Sequence, residues 1–184
     1  MKSIANSLSS VLATCASLLF CTAASAHVVL QDPAAAAGSG YRATFLVGHG
    51  CEGTATTAIK VRIPEGFQGA KPMPKAGWTL NIVSAPLAKP YSSHGKRVTE
   101  DVAEISWTAN GPGSALPDAW YEEFVLRGTT PGQAGLLWFK VLQTCEKGQN
   151  DWSETPASGS STKGLKAPAA LLELMDTGAS GHQH

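Results

Sequence analysis

The sequence has few charged residues for its length. Only 15% of its 184 residues are Asp, Glu, Lys or Arg, and 14 basic residues are balanced by 14 acidic ones, so that the formal net charge is zero. A nucleic-acid-binding surface needs unbalanced positive charge to neutralise phosphates. The composition therefore excludes nucleic acid from the expected partners.

The short motifs of the common enzyme classes are also missing. The chain contains no Gly-rich phosphate loop, no dinucleotide-binding glycine pattern, no H-E-x-x-H zinc motif and no serine nucleophile elbow. The serines near the histidines have no supporting acid, so hydrolase chemistry has little support in the sequence.

Long apolar runs are absent except at the start of the chain. Lys2 supplies a positive charge, residues 11–24 are almost uncharged, and Ala24-Ser25-Ala26 is a small-residue cleavage site. This arrangement is typical of a secretory signal, and its apolar part is too short for a strong membrane span. We expect residues 1–26 to be removed and the mature chain to be exported without a membrane span.

Cysteine becomes scarce once this segment is removed. Of four cysteines, Cys15 and Cys21 lie in the signal segment, which leaves Cys51 and Cys145. In an oxidising exported compartment these two are expected to form a disulfide. A soft Cu(I) or Zn site using both thiolates is the alternative, although no C-x-x-C spacing supports it.

Helical periodicity is nearly absent, and strict alternation of apolar and polar residues takes its place. Predicted strands lie at 27–30, 41–47, 56–63, 78–83, 102–107, 120–127 and 136–144. Short alternating strands separated by turn residues predict an antiparallel β-sandwich. The stretch 169–175 is either a weak amphipathic helix or a late edge strand.

One domain is expected over residues 27–175, followed by a flexible, His-containing tail over 176–184. Four tryptophans lie on predicted strands and are expected in the core: Trp78, Trp107, Trp120 and Trp138. Trp152 follows a predicted hairpin turn and is either a core residue or a shield beside a metal ion.

His27 is the most informative residue because it directly follows the predicted cleavage site. Cleavage gives it a free α-amine, which can chelate one metal ion together with Nδ1 of its own ring. Such an amine is only partly protonated near neutral pH, so little proton cost opposes metal binding. Nitrogen ligands of this kind suit Cu(II) best among the common divalent ions. The position predicts a histidine brace, or half of one.

A complete metal site needs further ligands, and the sequence leaves several candidates open. They are His49, His94, Glu122, Glu123, Glu154, His182 and His184. Glu122 and Glu123 are consecutive on a predicted strand, so only one of them faces the interior. His49, in a turn beside Cys51, and His94, in a predicted hairpin loop, could equally be structural loop residues.

Several stretches of the sequence resemble the YcnI family, also called domain of unknown function 1775, in its proteobacterial form. They are residues 26–30, 40–43, 48–53, 71–80, 116–125, 143–146 and 152–156. The most specific are H-G-C-E-G at 49–53 and L-P-D-A-W-Y-E-E-F at 116–124. The stretches follow one another in order through most of the mature chain.

The resemblance implies an all-β, cupredoxin-like or immunoglobulin-like antiparallel β-sandwich in the bacterial periplasm. It also implies Cu(II) bound by a mono-histidine brace, with His27 as ligand through amine and ring, a carboxylate ligand, and Trp152 beside the metal. The E-F step of the family pattern favours Glu123 over Glu122 as that carboxylate. The sequence departs from the pattern at Trp120, where tyrosine is more usual.

Three functions from different classes follow. The first is a copper-binding protein that buffers or delivers copper, with a periplasmic or inner-membrane copper-handling protein as partner. The second is a copper-dependent oxidase or monooxygenase, which needs a second imidazole from His49 or His94 and a flat aromatic surface that the sequence does not show. The third is a non-metal domain that binds an envelope protein through a sheet edge and makes no use of His27.

Overall fold

The computed structural model describes residues 27–176, so the predicted signal segment and residues 177–184 of the predicted tail lie outside the described part. In this part the chain forms strands and one short 3₁₀ helix, Pro112–Ser114. The strands are β1 (Val29–Leu30), β2 (Ala34–Ala36), β3 (Gly40–Val47), β4 (Thr56–Arg62), β5 (Gln68–Pro72), β6 (Trp78–Ser93), β7 (Lys96–Ala109), β8 (Glu122–Thr129), β9 (Gly135–Cys145), β10 (Gln149–Trp152) and β11 (Ala170–Met175).

These strands form two sheets. The smaller sheet has the order β1-β3-β8-β5, and the larger has the order β2-β11-β9-β4-β7-β6, with β10 paired to β9. All pairings are antiparallel except that of β2 with β11. The predicted all-β antiparallel architecture is confirmed.

The core lies between the two sheets, as the alternation predicts. Phe45 of β3 and Phe124 of β8 point inward from the smaller sheet, and Phe139 of β9 points inward from the larger one; all three are fully buried. The rings of Phe45 and Phe139 meet edge to face with centroids 5.5 Å apart, a favoured aromatic geometry. Burial of such side chains supplies most of the favourable free energy of folding.

The tryptophans follow the prediction with two exceptions. Trp107 is fully buried in the core and Trp78 packs against it. Trp138 lies on the outward face of β9, only partly buried and outside the core cluster, and Trp120 is 65% exposed. The placement of Trp120 in the core and on a strand is therefore wrong. Its backbone N–H donates to the carbonyl of Pro117, which closes a turn and delays the start of β8 to Glu122.

The stretch 169–175 is a strand rather than a helix. Along β11, Leu172 and Leu174 are buried while Glu173 and Met175 are exposed, a period of two. The strand lies between β9 and β2 in the larger sheet, so it is not the outermost strand either.

The sandwich has two chemically different ends. At one end, Cys51 and Cys145 form a disulfide that joins positions 94 residues apart, which confirms the predicted pairing; we call this the disulfide end. At the other end, His94 and Gly95 form the two-residue turn between β6 and β7, both with positive φ, as a type I′ hairpin requires. Among residues 27–176, no helix is long and apolar enough to cross a membrane.

Candidate metal centre at the disulfide end

The pairing of β1 with β3 determines where His27 lies. Val29 is opposite Leu46 and Leu30 is opposite Phe45 in an antiparallel register, and Val28 and Leu30 are buried. Continuing this register by two residues places His27 beside Gly48, at the start of the loop that leads to Cys51. Two buried apolar side chains thus hold His27 at the disulfide end.

Trp152 reaches the same place from the other sheet. It lies at the end of β10, opposite Val141 of β9, and is 5% exposed. The rings of His27 and Trp152 are edge to face with centroids 5.5 Å apart. The structure therefore brings together two residues that the resemblance assigns to one site. Trp152 is at once a core residue and a neighbour of His27, so the two interpretations of it are compatible.

A second imidazole lies against the same indole. The His49 ring is edge to face with Trp152, with centroids 6.4 Å apart. The Nδ1 atom of His49 is hydrogen-bonded to the carbonyl oxygen of Gly50. Of the two described histidines that the sequence left open, His49 lies beside Trp152 and His94 does not.

The loop that carries His49 is closely constrained. A Cβ atom added at Gly50 would lie 1.8 Å from the carbonyl oxygen of Thr54, so that only glycine fits there. The Gly50 N–H donates to Oδ1 of Asp118 at 2.9 Å, and Cys51 is both disulfide-bonded and paired with Thr54. These contacts determine the backbone on the C-terminal side of His49.

Gln143 is the residue of this region that the sequence analysis missed. It is 1% exposed, and its Nε2 donates to the carbonyl of His49 at 2.7 Å and to Oγ1 of Thr56 at 2.8 Å. Its Oε1 accepts the indole N–H of Trp152 at 3.1 Å. One buried amide thus joins the His49 loop to Trp152. The available signal was a polar residue at an inward position of β9, between Val141 and Cys145.

Glu122 and Glu123 face opposite sides of β8. Glu122 lies on the face of buried Phe124 and pairs with Lys75 at 2.8 Å. Partial burial tends to raise the pKa of Glu122, but hydrogen bonds from Lys75 and the Glu123 N–H, together with the charge of Lys75, outweigh burial and lower it.

Glu123 lies on the outer face, opposite Leu46 of β3. Its Oε1 accepts a hydrogen bond from the Tyr121 hydroxyl at 2.6 Å, and this bond is the largest of the causes that raise the pKa of Tyr121 to about 12. The role of Glu123 as a metal ligand stays a prediction.

The remaining candidate ligands have other places. His94 is at the opposite end of the sandwich, and Glu154 uses Oε2 to accept the backbone N–H groups of Lys166 and Ala167 at 2.8 and 3.1 Å. His182 and His184 lie outside the described residues. The thiolate site is excluded because both sulfur atoms are in the disulfide.

The donors at this end suit a metal only if the chain terminus takes part. Within residues 27–176, no three His, Cys, Asp or Glu side chains form a group that could hold a metal ion. Cleavage directly before His27 would give this residue an α-amine, which is a nitrogen donor beside its own ring. With that amine, the nitrogen-rich set fits Cu(II).

The cavities of the described chain do not favour a large ligand here. A pocket of about 210 Å³ beside His27 is lined by β1 and by parts of 160–171. A larger cavity of about 550 Å³ lies at the other end, around Phe67 and Tyr91. A single ion needs no large cavity, so the small pocket is compatible with a metal centre.

Comparison with known proteins agrees with the fold. The model of a family described as Domain of unknown function (DUF1775) matches residues 27–174, while no curated protein matches the chain. A solved structure, an uncharacterized protein from Nocardia farcinica with an immunoglobulin-like fold, is similar with a TM-score of 0.61. The two chains are 25% identical over 80% of this chain and 97% of the other. The likeness confirms an immunoglobulin-like fold.

Proposed function

Because the chain belongs to the family of the domain of unknown function DUF1775, we propose that it is an exported, periplasmic Cu(II)-binding protein. It holds copper through a mono-histidine brace at the mature N-terminus and buffers or delivers the ion to a periplasmic or inner-membrane copper-handling protein. When bound, Cu(II) supplies a Lewis-acidic, redox-active centre, which a buffering protein keeps from reacting.

The observation that carries this proposal is the contact of His27 with Trp152. The two residues are far apart in sequence, and the fold brings their rings to a centroid distance of 5.5 Å. Trp152 is almost completely buried, so that its indole excludes water from one side of the imidazole. Exclusion of water and oxidant favours holding copper over cycling it.

The surroundings of both residues are preorganised for binding. Val28 and Leu30 anchor the segment that begins at His27, and the Gln143 amide fixes the orientation of the Trp152 indole. A site whose groups are already in position loses little conformational freedom when the ion binds. The proposal includes Glu123 as the carboxylate ligand, because the sequence resembles the family at that position.

The free amine can be tested directly by altering the chain terminus. Cu(II) is titrated into the mature protein, whose start at His27 is verified by intact mass, and into a variant with one alanine added before His27. Proline is placed between this alanine and His27, because its nitrogen has no N–H to deprotonate and an Ala-His terminus would itself chelate copper. We expect the Ala-Pro extension to weaken binding by at least about tenfold, since the amine is no longer on His27. His94→Asn, at the other end of the sandwich, is the matched control and should bind like the parent. Equal affinity of the parent and the extended chain contradicts the proposal.

A second experiment uses the fluorescence of Trp152. Bound Cu(II) should quench part of the tryptophan emission, and Trp152→Phe should remove most of that copper-dependent quenching. Phe keeps much of the buried apolar area, so we expect the fold to survive with a stability loss of about 1–2 kcal/mol. An unchanged copper-dependent drop in the variant would remove Trp152 from the site.

A copper-dependent oxidase or monooxygenase is the second candidate, and two observations favour it. The His49 ring lies against Trp152, and such a site needs a second imidazole. Trp120 and Tyr121, 65% and 57% exposed, lie in the loop that Asp118 ties to Gly50, and so offer aromatic surface at the disulfide end. Peroxide-driven oxidation of a polysaccharide or phenol by the copper-loaded protein tests this candidate. Turnover no higher than that of the Ala-Pro-extended chain counts against it.

A further inference from the structure

We propose that the smaller sheet, at its end opposite the disulfide, binds a doubly charged oxyanion of the phosphate class between Lys71 and Arg127. This site is separate from the copper centre and goes beyond the proposed function. A row of like charges, a β-bulge that completes the row and a pocket without carboxylates each support it.

Three basic side chains form one row across the outer face of the smaller sheet. Arg127 of β8 is opposite Arg42 of β3 on one side and opposite Lys71 of β5 on the other, and all three are exposed. Neighbouring strands lie about 4.8 Å apart, and like charges directly opposite one another destabilise a sheet. Within residues 27–176, no ion pair joins a member of this row to a carboxylate. The fold therefore holds three positive charges together without pairing them.

A β-bulge in β5 completes the row. Gln68 is opposite Thr129. Lys71, three residues later, is opposite Arg127, which is only two residues from the partner of Gln68. Regular pairing would place Lys71 opposite buried Leu126, on the inner face of the sheet. The extra residue turns Lys71 to the outer face instead, as bulges beside functional sites do when they re-aim a side chain.

The bulge is fixed by its own contacts. Gly69 has a φ of 60°, which glycine adopts readily, and its N–H donates to Oδ2 of Asp101 at 2.8 Å. The Tyr91 hydroxyl donates to the same oxygen at 2.7 Å, and Oδ1 of Asp101 accepts the N–H of Val102 at 2.8 Å. The fold thus stabilises a bulge that brings two cations together. A local conflict that the fold retains in this way is expected where a ligand binds.

The row borders a pocket that has hydrogen-bond donors but no carboxylate. This pocket of about 410 Å³ lies beside the turn between β6 and β7. Lys71 and Arg127 line it together with the hydroxyl side chains of Ser93 and Thr129. No Asp or Glu of the described chain is among its lining residues. Its walls therefore favour an anion with several acceptor oxygens.

The donors fit phosphate better than a carboxylate. Arg127 has a planar fork of N–H groups that can bind two oxygens at once, and Lys71 adds a compact charge. A phosphate group carries a charge of about −1.5 to −2 near neutral pH and three strong acceptor oxygens, which match two cations and the adjoining hydroxyls. A carboxylate would leave one of the two charges uncompensated. Arg42 also donates to Oγ1 of Thr44 at 3.0 Å, and adds positive charge beside Arg127.

The experiment titrates inorganic phosphate into the copper-free mature protein. A parallel titration with chloride at equal ionic strength separates binding from general screening, and backbone amide NMR signals report the contact. We expect saturable shifts centred on Gly69, Gly128 and Thr129, which line the pocket. Shifts that do not saturate, or that chloride reproduces, overturn the proposal.

Variants then assign the two cations. Arg127→Gln and Lys71→Gln should each weaken phosphate binding by about tenfold or more, since each removes a charge-assisted hydrogen bond. Both side chains are exposed, so the variants should fold, and without phosphate they should be at least as stable as the parent because a like-charge contact is relieved. Lys140→Gln, which removes an exposed cation of β9, is the matched control and should bind phosphate like the parent. Equal losses in the control and in the two variants, or no loss in any of them, contradict the assignment.

Free phosphate and the phosphate group of a lipid share this chemistry, and one further measurement separates them. Parent protein and Arg127→Gln are sedimented with phosphatidylcholine vesicles that contain or lack phosphatidic acid. Binding that requires both phosphatidic acid and Arg127 assigns the site to a lipid headgroup. Equal sedimentation of parent and variant, together with saturable binding of inorganic phosphate, assigns it to the free ion.

Discussion

At the scale of single residues, the site depends on a buried amide that holds no metal itself. Gln143 satisfies a backbone carbonyl, a hydroxyl and an indole N–H in the interior. Buried polar groups of this kind carry a large penalty when their partner is removed, because no water replaces it. The orientation of Trp152 and the position of the His49 loop therefore depend on the same side chain.

Gln143→Met tests this dependence, since methionine has a similar shape and no hydrogen-bonding amide. We expect the free energy of unfolding to fall by about 2–3 kcal/mol, the penalty of buried groups left unsatisfied, and the copper-dependent quenching of Trp152 to change. Chemical denaturation and fluorescence titration measure the two effects. Gln133→Met, at an exposed position, is the control. Equal stability of the two variants would mean that the Gln143 bonds contribute nothing net.

A second pair of variants tests which carboxylate of β8, Glu122 or Glu123, binds copper. Coordination requires an ionised carboxylate, so Glu123→Gln should weaken Cu(II) binding and alter the copper EPR signal if Glu123 is a ligand. Glu122→Gln should do little to copper, since Glu122 is paired with Lys75 on the opposite face of the strand. Calorimetric titration of both variants measures this. A reversed result would assign the ligand to Glu122.

At the scale of elements, the disulfide end is held together by several segments that meet there. The disulfide joins the loop before β4 to the last residue of β9, and β10 turns back from β9 to place Trp152 over Val141. The His49 segment is therefore linked to Cys145 through the disulfide, and β10 with Trp152 follows Cys145 directly in the chain. The site is rigid because these segments are joined at the disulfide end.

Removal of the disulfide should therefore loosen both the fold and the site. For a loop of this length, Cys51→Ala with Cys145→Ala should lower the free energy of unfolding by about 2–5 kcal/mol, and Cu(II) affinity should fall with it. Guanidinium unfolding and copper titration measure the changes. In the absence of copper, a reducing agent should reproduce the loss of stability in the parent but leave the double variant unaffected. A fully reduced parent with unchanged stability would contradict this prediction.

β6 is the edge strand at one side of the larger sheet. It is the longest edge at which an envelope protein could add a strand, as the third function requires. β6 is long and exposed, but it contains Pro86, Lys89 and Pro90, and its register with β7 is interrupted at Pro86. Proline and lysine on an edge strand prevent another strand from pairing with it. Strand addition at β6 is disfavoured, which removes the longest candidate edge for that function.

At the scale of the whole molecule, the candidate metal-binding residues and the cavity around Phe67 and Tyr91 lie at opposite ends of the sandwich. The disulfide end carries His27, His49 and Trp152, and the other end carries the His94 turn and the cavity around Phe67 and Tyr91. The three tyrosines of the chain lie on different parts of the sandwich. Each has a pKa raised from 10.0 to about 12. Burial is the main cause at Tyr41 and Tyr91, and the hydrogen bond to Glu123 is the main cause at Tyr121.

The tyrosines make stability fall in strong base. A raised pKa stabilises the folded state fully below the unfolded value near 10, and the contribution is lost as pH rises to about 12. We assign this effect to Tyr41 and Tyr91, because solvent screens the interaction at exposed Tyr121. Absorbance at the phenolate band should show little ionisation of the native protein at pH 10.5 to 11, while the unfolded protein ionises near 10. Native tyrosines that titrate near 10 would contradict the prediction.

Much of the fold could be predicted from the sequence, because the alternation that marks a strand is a pattern of neighbouring residues. Alternation along each strand reflects which side chains face the core, so strands at 41–47 and 136–144 were predictable from spacing alone. The disulfide followed from a count, since only two cysteines remain after the predicted signal segment. Trp120 was misplaced because the turn at Pro117 is set by one backbone hydrogen bond that no residue pattern reveals.

What the sequence by itself determined is the type of each element and the residues near the chain start that could bind a metal. Only the tertiary structure decided which of them meet, because contact depends on the register between strands and on how loops close across two sheets. The face of Glu122, the buried bonds of Gln143 and the place of His49 against Trp152 all arise in this way. A shift of one residue in the pairing of β8 with β3 would reverse the facing of Glu122, and a shift in the pairing of β9 with β4 would reverse that of Gln143. No local pattern encodes these registers.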